Sequence, residues 1–350
     1  QLQLDTAAQS GFDPDGEAVT DKVGDGLMVY CIADLERLLT DVKLDMIRVA
    51  LDGGAAFVPA AALLVALWRK HSVAPDQAGG AFNADPLATL ARTGKLPMSA
   101  DTALGSMADL AAWTAENYPN VTAVGVDTSP YHDAGATVAQ DIACAAATGV
   151  EYLRAMDKAG LNVDSAAGQI LFRMGLGTHH FQAIAKLRAA RQVWSRVVEA
   201  CGGSRQAQAM NIHTRTSNRV LTQYDPYVNL LRNTVAVFAG GLGGADSITS
   251  VAFDSMTGVP DEFSRRIARN TLFVLQDESH LQRVIDPAGG SWFLDRLTQE
   301  LAEKAWEIFQ SIEREGGMLS ALKSGWISTQ IDQAYENRAK DIARRKDCLL

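Results

Sequence analysis

Two histidines stand where β-rich runs give way to loops, and imidazole chemistry at neutral pH could sit there. His132 lies in "DTSPYHDAGAT", residues 127–137, where it could donate a hydrogen bond or act as a general acid. The plainer reading is a loop histidine held by its neighbour Asp133. His213 lies in "AMNIHT", where Ile212 separates it from Asn211 and puts both polar residues on one strand face. Both are therefore candidates to line a site. The adjacent pair His179–His180 opens a helix, but neighbouring side chains diverge and no carboxylate stands at helical spacing, so no metal site is expected. "GGLGG", Gly240 to Gly244, follows a helix and lacks the Lys-Ser/Thr of a phosphate loop, so it reads as a helix stop and turn. No GxSxG, HExxH or Walker pattern occurs. Asn270, Glu278, Ser279, His280 and Arg283 punctuate "RIARNTLFVLQDESHLQRVIDPAGGSWF", which reads as two helices joined by a loop.

The elements that must position these residues alternate. Strand-like runs begin at Leu2 ("LQLD"), Met46 ("MIRVAL"), Gly80 ("GAFNAD"), Thr122 ("TAVGVD"), Gln169 ("QILFRM"), Ala209 ("AMNIHT") and Ser247 ("SITSVAF"). Between them lie helical patterns, among them one with Val138, Ile142, Ala146 and Val150 on a stripe and Gly160 as its stop. Such alternation predicts an α/β fold, a (β/α)8 TIM barrel over residues 1–320, with residues 321–350 as a helical tail or the start of a linker. The eighth strand is expected in "RVIDP" from Arg283, and Leu297, Leu301, Ala305, Ile308 and Ile312 should form the packed face of the helix after it. Several runs end in polar residues, Asp5, Asn83, Asp127, Asn211, His213 and Asp254, at the strand ends where barrel function sits. For the aspartates, capping of the next helix is the simpler role.

Bulk properties narrow the classes. A 47% hydrophobic and 21% charged composition over 350 residues supports a large core. The net charge of −9 argues against nucleic acid. "AAFVPAAALLVALW" is too short to span a bilayer and suits a buried helix. The first residues show no basic n-region or apolar h-region, and Cys31, Cys144, Cys201 and Cys348 stand far apart without CxxC, so a cytoplasmic protein with reduced thiols is expected.

"FSRRIARNTLFVLQDESHLQRVIDPAGGSWFLDRLTQELAEKAWEIFQSIEREGGM" resembles the end of the substrate barrel of the methylmalonyl-CoA mutase family. "VEYLRAMDKAGLNVD", "AKLRAARQVW" and "LTQYDPYVNLLRNT" are similar to the same family in the same order, so the resemblance runs from about residue 20 to 320. It implies a (β/α)8 barrel whose bore is lined by small polar residues and threaded by the CoA chain. On that reading the stretch from Arg266 to Phe293 is mostly scaffold.

The chemistry-bearing positions depart from the pattern. Active members resemble "SGYHxxEAGAT"; here Pro130 stands at the histidine position and His132 two places later. Their Arg-x-Ser on the fifth strand is matched by Gln169 and Leu171, which removes charge-assisted contacts to CoA. Gln-Asn-Asp on the third strand becomes Asn83-Ala84-Asp85, and "HxQTS" on the sixth becomes His213-Thr214-Arg215-Thr216-Ser217. A "TIRQY"-like arm and an Asp-x-His-x-x-Gly cobalamin motif are not found in these residues. The resemblance thus implies a degenerate, structural small subunit that pairs with a catalytic mutase chain, adenosylcobalamin belonging to the assembled complex and not to this chain alone. Catalytic residues are not assigned beyond the candidates His132 and His213. Asn83, His213, Arg215 and Ser217 are expected to touch any CoA ester that binds, with no metal ligand, nucleic acid or membrane partner. The alternative is a barrel that still catalyses, with a separate cobalamin-binding chain.

Overall fold

The computed structural model describes residues 1–16 and 26–347, so Cys348 and part of the amino-terminal stretch lie outside the described residues. Among the described residues, seven strands neighbour one another in chain order. They are β1 (Leu2–Gln3), β2 (Val49–Asp52), β3 (Gly80–Ala84), β4 (Val121–Asp127), β5 (Ile170–Leu176), β6 (Asn211–Thr216) and β7 (Ser247–Thr249). Fourteen α-helices intervene: α1 (Thr6–Gln9), α2 (Ile32–Leu38), α3 (Phe57–Lys70), α4 (Pro86–Thr93), α5 (Ala100–Asn117), α6 (Ser129–Asp133), α7 (Val138–Lys158), α8 (Val163–Gly168), α9 (His180–Ala200), α10 (Val228–Leu242), α11 (Glu262–Phe273), α12 (Trp292–Arg314), α13 (Met318–Lys323) and α14 (Trp326–Ala343). Parallel strands separated by helices are the TIM-barrel type of α/β fold.

The chain divides into two compact units. The first comprises residues 1–126, 149–171 and 201–207. Its core forms around α3, whose Phe57, Leu64, Leu67 and Trp68 are fully buried, as the apolar run predicts. Trp68 packs on Phe82 at 6.1 Å and on Tyr118 at 5.4 Å between ring centres. Strand β2 begins three residues later than expected because Met46 and Ile47, 72% and 54% exposed, stay outside the ladder. Two aspartates at strand ends cap helices: Asp5 accepts from Ala8 N at 2.9 Å and Asp85 from Ala88 N at 2.9 Å.

The second unit comprises residues 127–148, 172–200 and 208–350. Phe172 and Trp194 meet edge to face at 4.7 Å in its core. Helix α12 packs along α9 through Leu294, Thr298, Ala302, Ala305, Phe309 and Ile312. That face is rotated from the expected stripe, and Leu297, Leu301 and Ile308 are only half-buried. Small Thr298, Ala302 and Ala305 let two helices approach where leucines would hold them apart. Strand β7 is shorter than "SITSVAF" because side chains take over its backbone groups. Thr216 Oγ1 accepts from Val251 N at 2.8 Å, Asn233 Nδ2 donates to Val251 O at 2.7 Å, and Asn229 Nδ2 donates to Phe253 O at 2.8 Å.

The expected eighth strand is not formed. Arg283 to Pro287 is a turn in which Ile285 is 98% exposed and Asp286 has φ 48°, closed by Gly289 N donating to Asp286 O at 2.9 Å. A left-handed residue followed by proline, which lacks an N–H, cannot continue a ladder. The two helices expected across Arg266–Phe293 are present, α11 running on into a π-helical turn at Val274–Glu278. "GGLGG" does stop a helix: α10 ends at Leu242 and Gly244 takes φ 78°.

One ladder position tests the register. Gly80 pairs with Val49 at φ 147°, and a Cβ there would stand 1.8 Å from Val49 O. Gly80→Ala should destabilise the protein by on the order of 3 kcal/mol or more, through overpacking and backbone strain. A thermal melt unchanged from the parent would contradict the β2–β3 register.

Candidate functional site

In the second unit, a fully buried carboxylate organises the polar side chains. Asp141, one turn into α7, is 0% exposed. His132 Nδ1 lies 3.0 Å from Asp141 Oδ2, and Lys186 Nζ of α9 donates to the same oxygen. Lys186, 2% exposed, also donates to Gly175 O of β5 at 2.8 Å. On its other edge, His132 Nε2 lies 2.9 Å from Ser217 Oγ, and Ser217 Oγ accepts from Arg219 N at 3.1 Å. Arg219 Nη1 in turn donates to His132 O at 2.7 Å and Ala136 O at 3.1 Å.

Chemistry assigns the protons. An ionised Asp141 accepts only, so Nδ1 of His132 carries hydrogen, and Nε2 accepts from the Ser217 hydroxyl. Burial raises the Asp141 carboxyl, but Lys186 and His132 overcome it and hold the group ionised, well below the usual carboxylate range. Burial pushes His132 down, against the opposing pull of Asp141, and keeps the imidazole neutral. The order Ser217–His132–Asp141 has the connectivity of a nucleophile–base–orienter set. Here it is closed: Ser217 is 4% exposed, its hydroxyl caps the turn Asn218–Val220, and both ring nitrogens of His132 are occupied. The expected partner, Asp133, is exposed and does not bond His132; Asp141 does, because it lies on the buried face of α7.

A second group lies on β4 to β7. Arg173 of β5 pairs with Asp127 at 3.6 Å. The β6–β7 register sets His213 beside Ser247 and Arg215 beside Thr249. His213 Nδ1 is 2.8 Å from Ser247 Oγ, and its Nε2 is 3.2 Å from Thr249 Oγ1. Asn211, His213 and Arg215 alternate with the buried Ile212, Thr214 and Thr216, as the strand period requires. Burial, helped by Arg173, lowers His213 to about 4, so at neutral pH it is an uncharged hydrogen-bonding group. Arg215 is exposed and makes no ion pair among the described residues.

The remaining sequence candidates fall elsewhere. Asn83, in the first unit, has φ 50°, donates through Nδ2 to Leu51 O at 2.6 Å and leaves its buried Oδ1 without a partner among the described residues. Gln169, at a position where a CoA-binding residue was expected, is buried, and its Oε1 accepts from Ala123 N at 3.0 Å. Asp254 does not cap a helix through its side chain; its Oδ1 is buried without a partner. Among the described residues, no group of three or more histidine, cysteine or carboxylate side chains is placed to hold a metal ion. Sequence reading missed Asp141 and Lys186. The signal was present, since each is a charge on an otherwise apolar helix face, Asp141 with Ala145 and Thr148, Lys186 with Ala183, Ala190 and Val193.

A family model described as methylmalonyl-CoA mutase matches residues 1–350. The chain belongs to the methylmalonyl-CoA mutase family. It is 47% identical over 316 residues, 90% of its length, to the methylmalonyl-CoA mutase small subunit of Streptomyces virginiae, of which this covers 50%. It is 39% identical over 317 residues to the small subunit of Propionibacterium freudenreichii subsp. shermanii, covering 89% of this chain and 48% of that one. It is 34% identical over 337 residues to the methylmalonyl-CoA mutase of Escherichia coli (strain K12), covering 95% and 47%. The chain thus spans about half the length of the curated relatives it matches. The mutase family is adenosylcobalamin-dependent. Neither His132 nor His213 offers a free nitrogen for a cobalt ligand: His132 has both nitrogens occupied in the interior, and His213 bonds two hydroxyls. No helix among the described residues is long and apolar enough to cross a membrane.

Two outcomes follow from this geometry. Lys186→Met strands a buried carboxylate and should cost about 3–5 kcal/mol, whereas adding Asp141→Leu should recover most of that loss in a denaturant titration. Because His213 is lower in the folded chain than in the unfolded one, its contribution is complete above about 6.5 and is lost as the pH falls toward about 4. His213→Gln should therefore flatten part of the stability slope across that window; an unaltered slope would contradict the assignment.

Proposed function

We propose that this chain is the barrel of a structural small subunit of an adenosylcobalamin-dependent methylmalonyl-CoA mutase, pairing with a catalytic chain that binds the cofactor. The observation that carries this reading is the enclosure of His132. The family's histidine position holds Pro130, and the imidazole two residues later is committed to Asp141 and Ser217 in the interior. A group so held can orient a loop but cannot hand a proton to a substrate carbonyl. Gln169 supports the same conclusion, since it serves the backbone at Ala123 and presents no cation for a phosphate. The small-subunit names of the relatives agree with it. We place the corrinoid on the partner because His132 and His213, the two candidate imidazoles, are both engaged by neighbouring side chains. The natural setting on this reading is the cytoplasm.

Arg215 and the neutral His213 give the alternative its footing. On one strand face they could still hold part of a CoA ester. In a reconstituted complex, replacing His132 and His213 together by glutamine should lower turnover by less than about tenfold per assembled complex. A real imidazole acid–base contribution is worth roughly 100- to 10,000-fold. A loss in that range, with assembly and cobalamin content unchanged, would make the barrel catalytic.

A further inference from the structure

The second unit holds a cavity of about 850 Å³ that shares no residue with the His132 network. That volume falls within the range of small-molecule sites, roughly 300–1,000 Å³. Leu242, Ile248, Leu272, Leu275 and Leu281 supply apolar wall, and three arginines stand among the lining residues. Two of these are matched: Arg188 pairs with Asp286 at 3.0 Å and Asp295 at 2.8 Å, and Arg191 pairs with Asp246 at 3.4 Å. Arg269 is the lining cation without an ion pair or hydrogen bond among the described residues. The lining carboxylates, Asp246 and Asp286, are both engaged by the other two arginines, so neither pairs with Arg269.

Its rim is built from unusual backbone. The π turn at Val274–Glu278 carries Leu275 and Gln276, and π turns inside helices are frequent at functional sites. Asp286, a non-glycine residue at φ 48°, lines the cavity, and His280 at φ 54° precedes Leu281. Strained residues of this kind persist where the surroundings hold them, ligand clamps among them.

We propose that this cavity binds a small amphipathic organic monoanion, its acidic group on Arg269 and its apolar body against the leucine wall. A nucleotide or other polyphosphate fits poorly, because only one guanidinium is free to meet charge. A neutral apolar molecule would leave that guanidinium unmatched.

The test is calorimetric titration of the purified chain with octanoate, and with octanol as the uncharged analogue. Octanoate should bind saturably at one site, and octanol about 10- to 100-fold more weakly, the range of a charge-assisted hydrogen bond. Arg269→Gln should raise the octanoate Kd by the same factor and leave octanol unchanged. Gln276→Trp, at an exposed lining position, should block both. Among the described residues neither Arg269 nor Gln276 makes a side-chain hydrogen bond or ion pair, and both are exposed, so both variants should melt with the parent chain. Equal affinity for octanol and octanoate, binding indifferent to both variants, or no saturable binding would overturn the proposal.

Discussion

A carboxylate inside a protein must be met by charge and hydrogen bonds or it does not stay ionised, and Asp141 is met by both Lys186 and His132. That requirement organises much of the second unit. Lys186 ties α9 to Asp141 of α7 and to Gly175 of β5. His132 ties the turn after β4 to Ser217 at the end of β6, and Arg219 returns from there to His132 O and Ala136 O. Three strand ends are thereby fixed to two helices by one connected network. Such a network specifies its geometry because each member is costly to strand.

The same network decides what the site can do. A general acid needs a ring nitrogen that faces the reacting atom and a proton it can exchange. In this chain the imidazole of His132 is buried and both of its ring nitrogens are engaged within the fold. Close packing enforces that placement: Gly175 lies against the ring, and a Cβ there would stand 2.8 Å from His132 Cδ2. The strand face of His213 and Arg215 remains polar, so ligand contact and catalysis separate cleanly on the two sides of this reading.

Much of this was legible in the sequence, and the rest has identifiable causes. The stripe Val138–Ile142–Ala146–Val150 and the buried run before Trp68 announce α7 and α3, because their periodicity is local. The turn at Arg283–Pro287 misleads because Val284 is extended and followed by an apolar Ile285, while Asp286 and Pro287 deny the ladder its hydrogen bonds. The stripe of α12 was misplaced because its buried face includes the small residues Thr298, Ala302 and Ala305, while Leu297, Leu301 and Ile308 are only half-buried. The polar face of Asn211 and His213 was read correctly from alternation alone. Asp141 and Lys186 each stand out as a charge on a largely apolar helix face, but their pairing is not legible because 45 positions separate them.

The account turns on the state of one imidazole. Nitrogen-15 NMR of His132, assigned by comparison with a His132→Gln variant, reads its tautomer and its titration directly. The enclosed ring should carry hydrogen on Nδ1, exchange it slowly with solvent and remain neutral from pH 8 down to below its ordinary value of about 6.5. A ring that titrates at or above that value and exchanges freely would contradict the account.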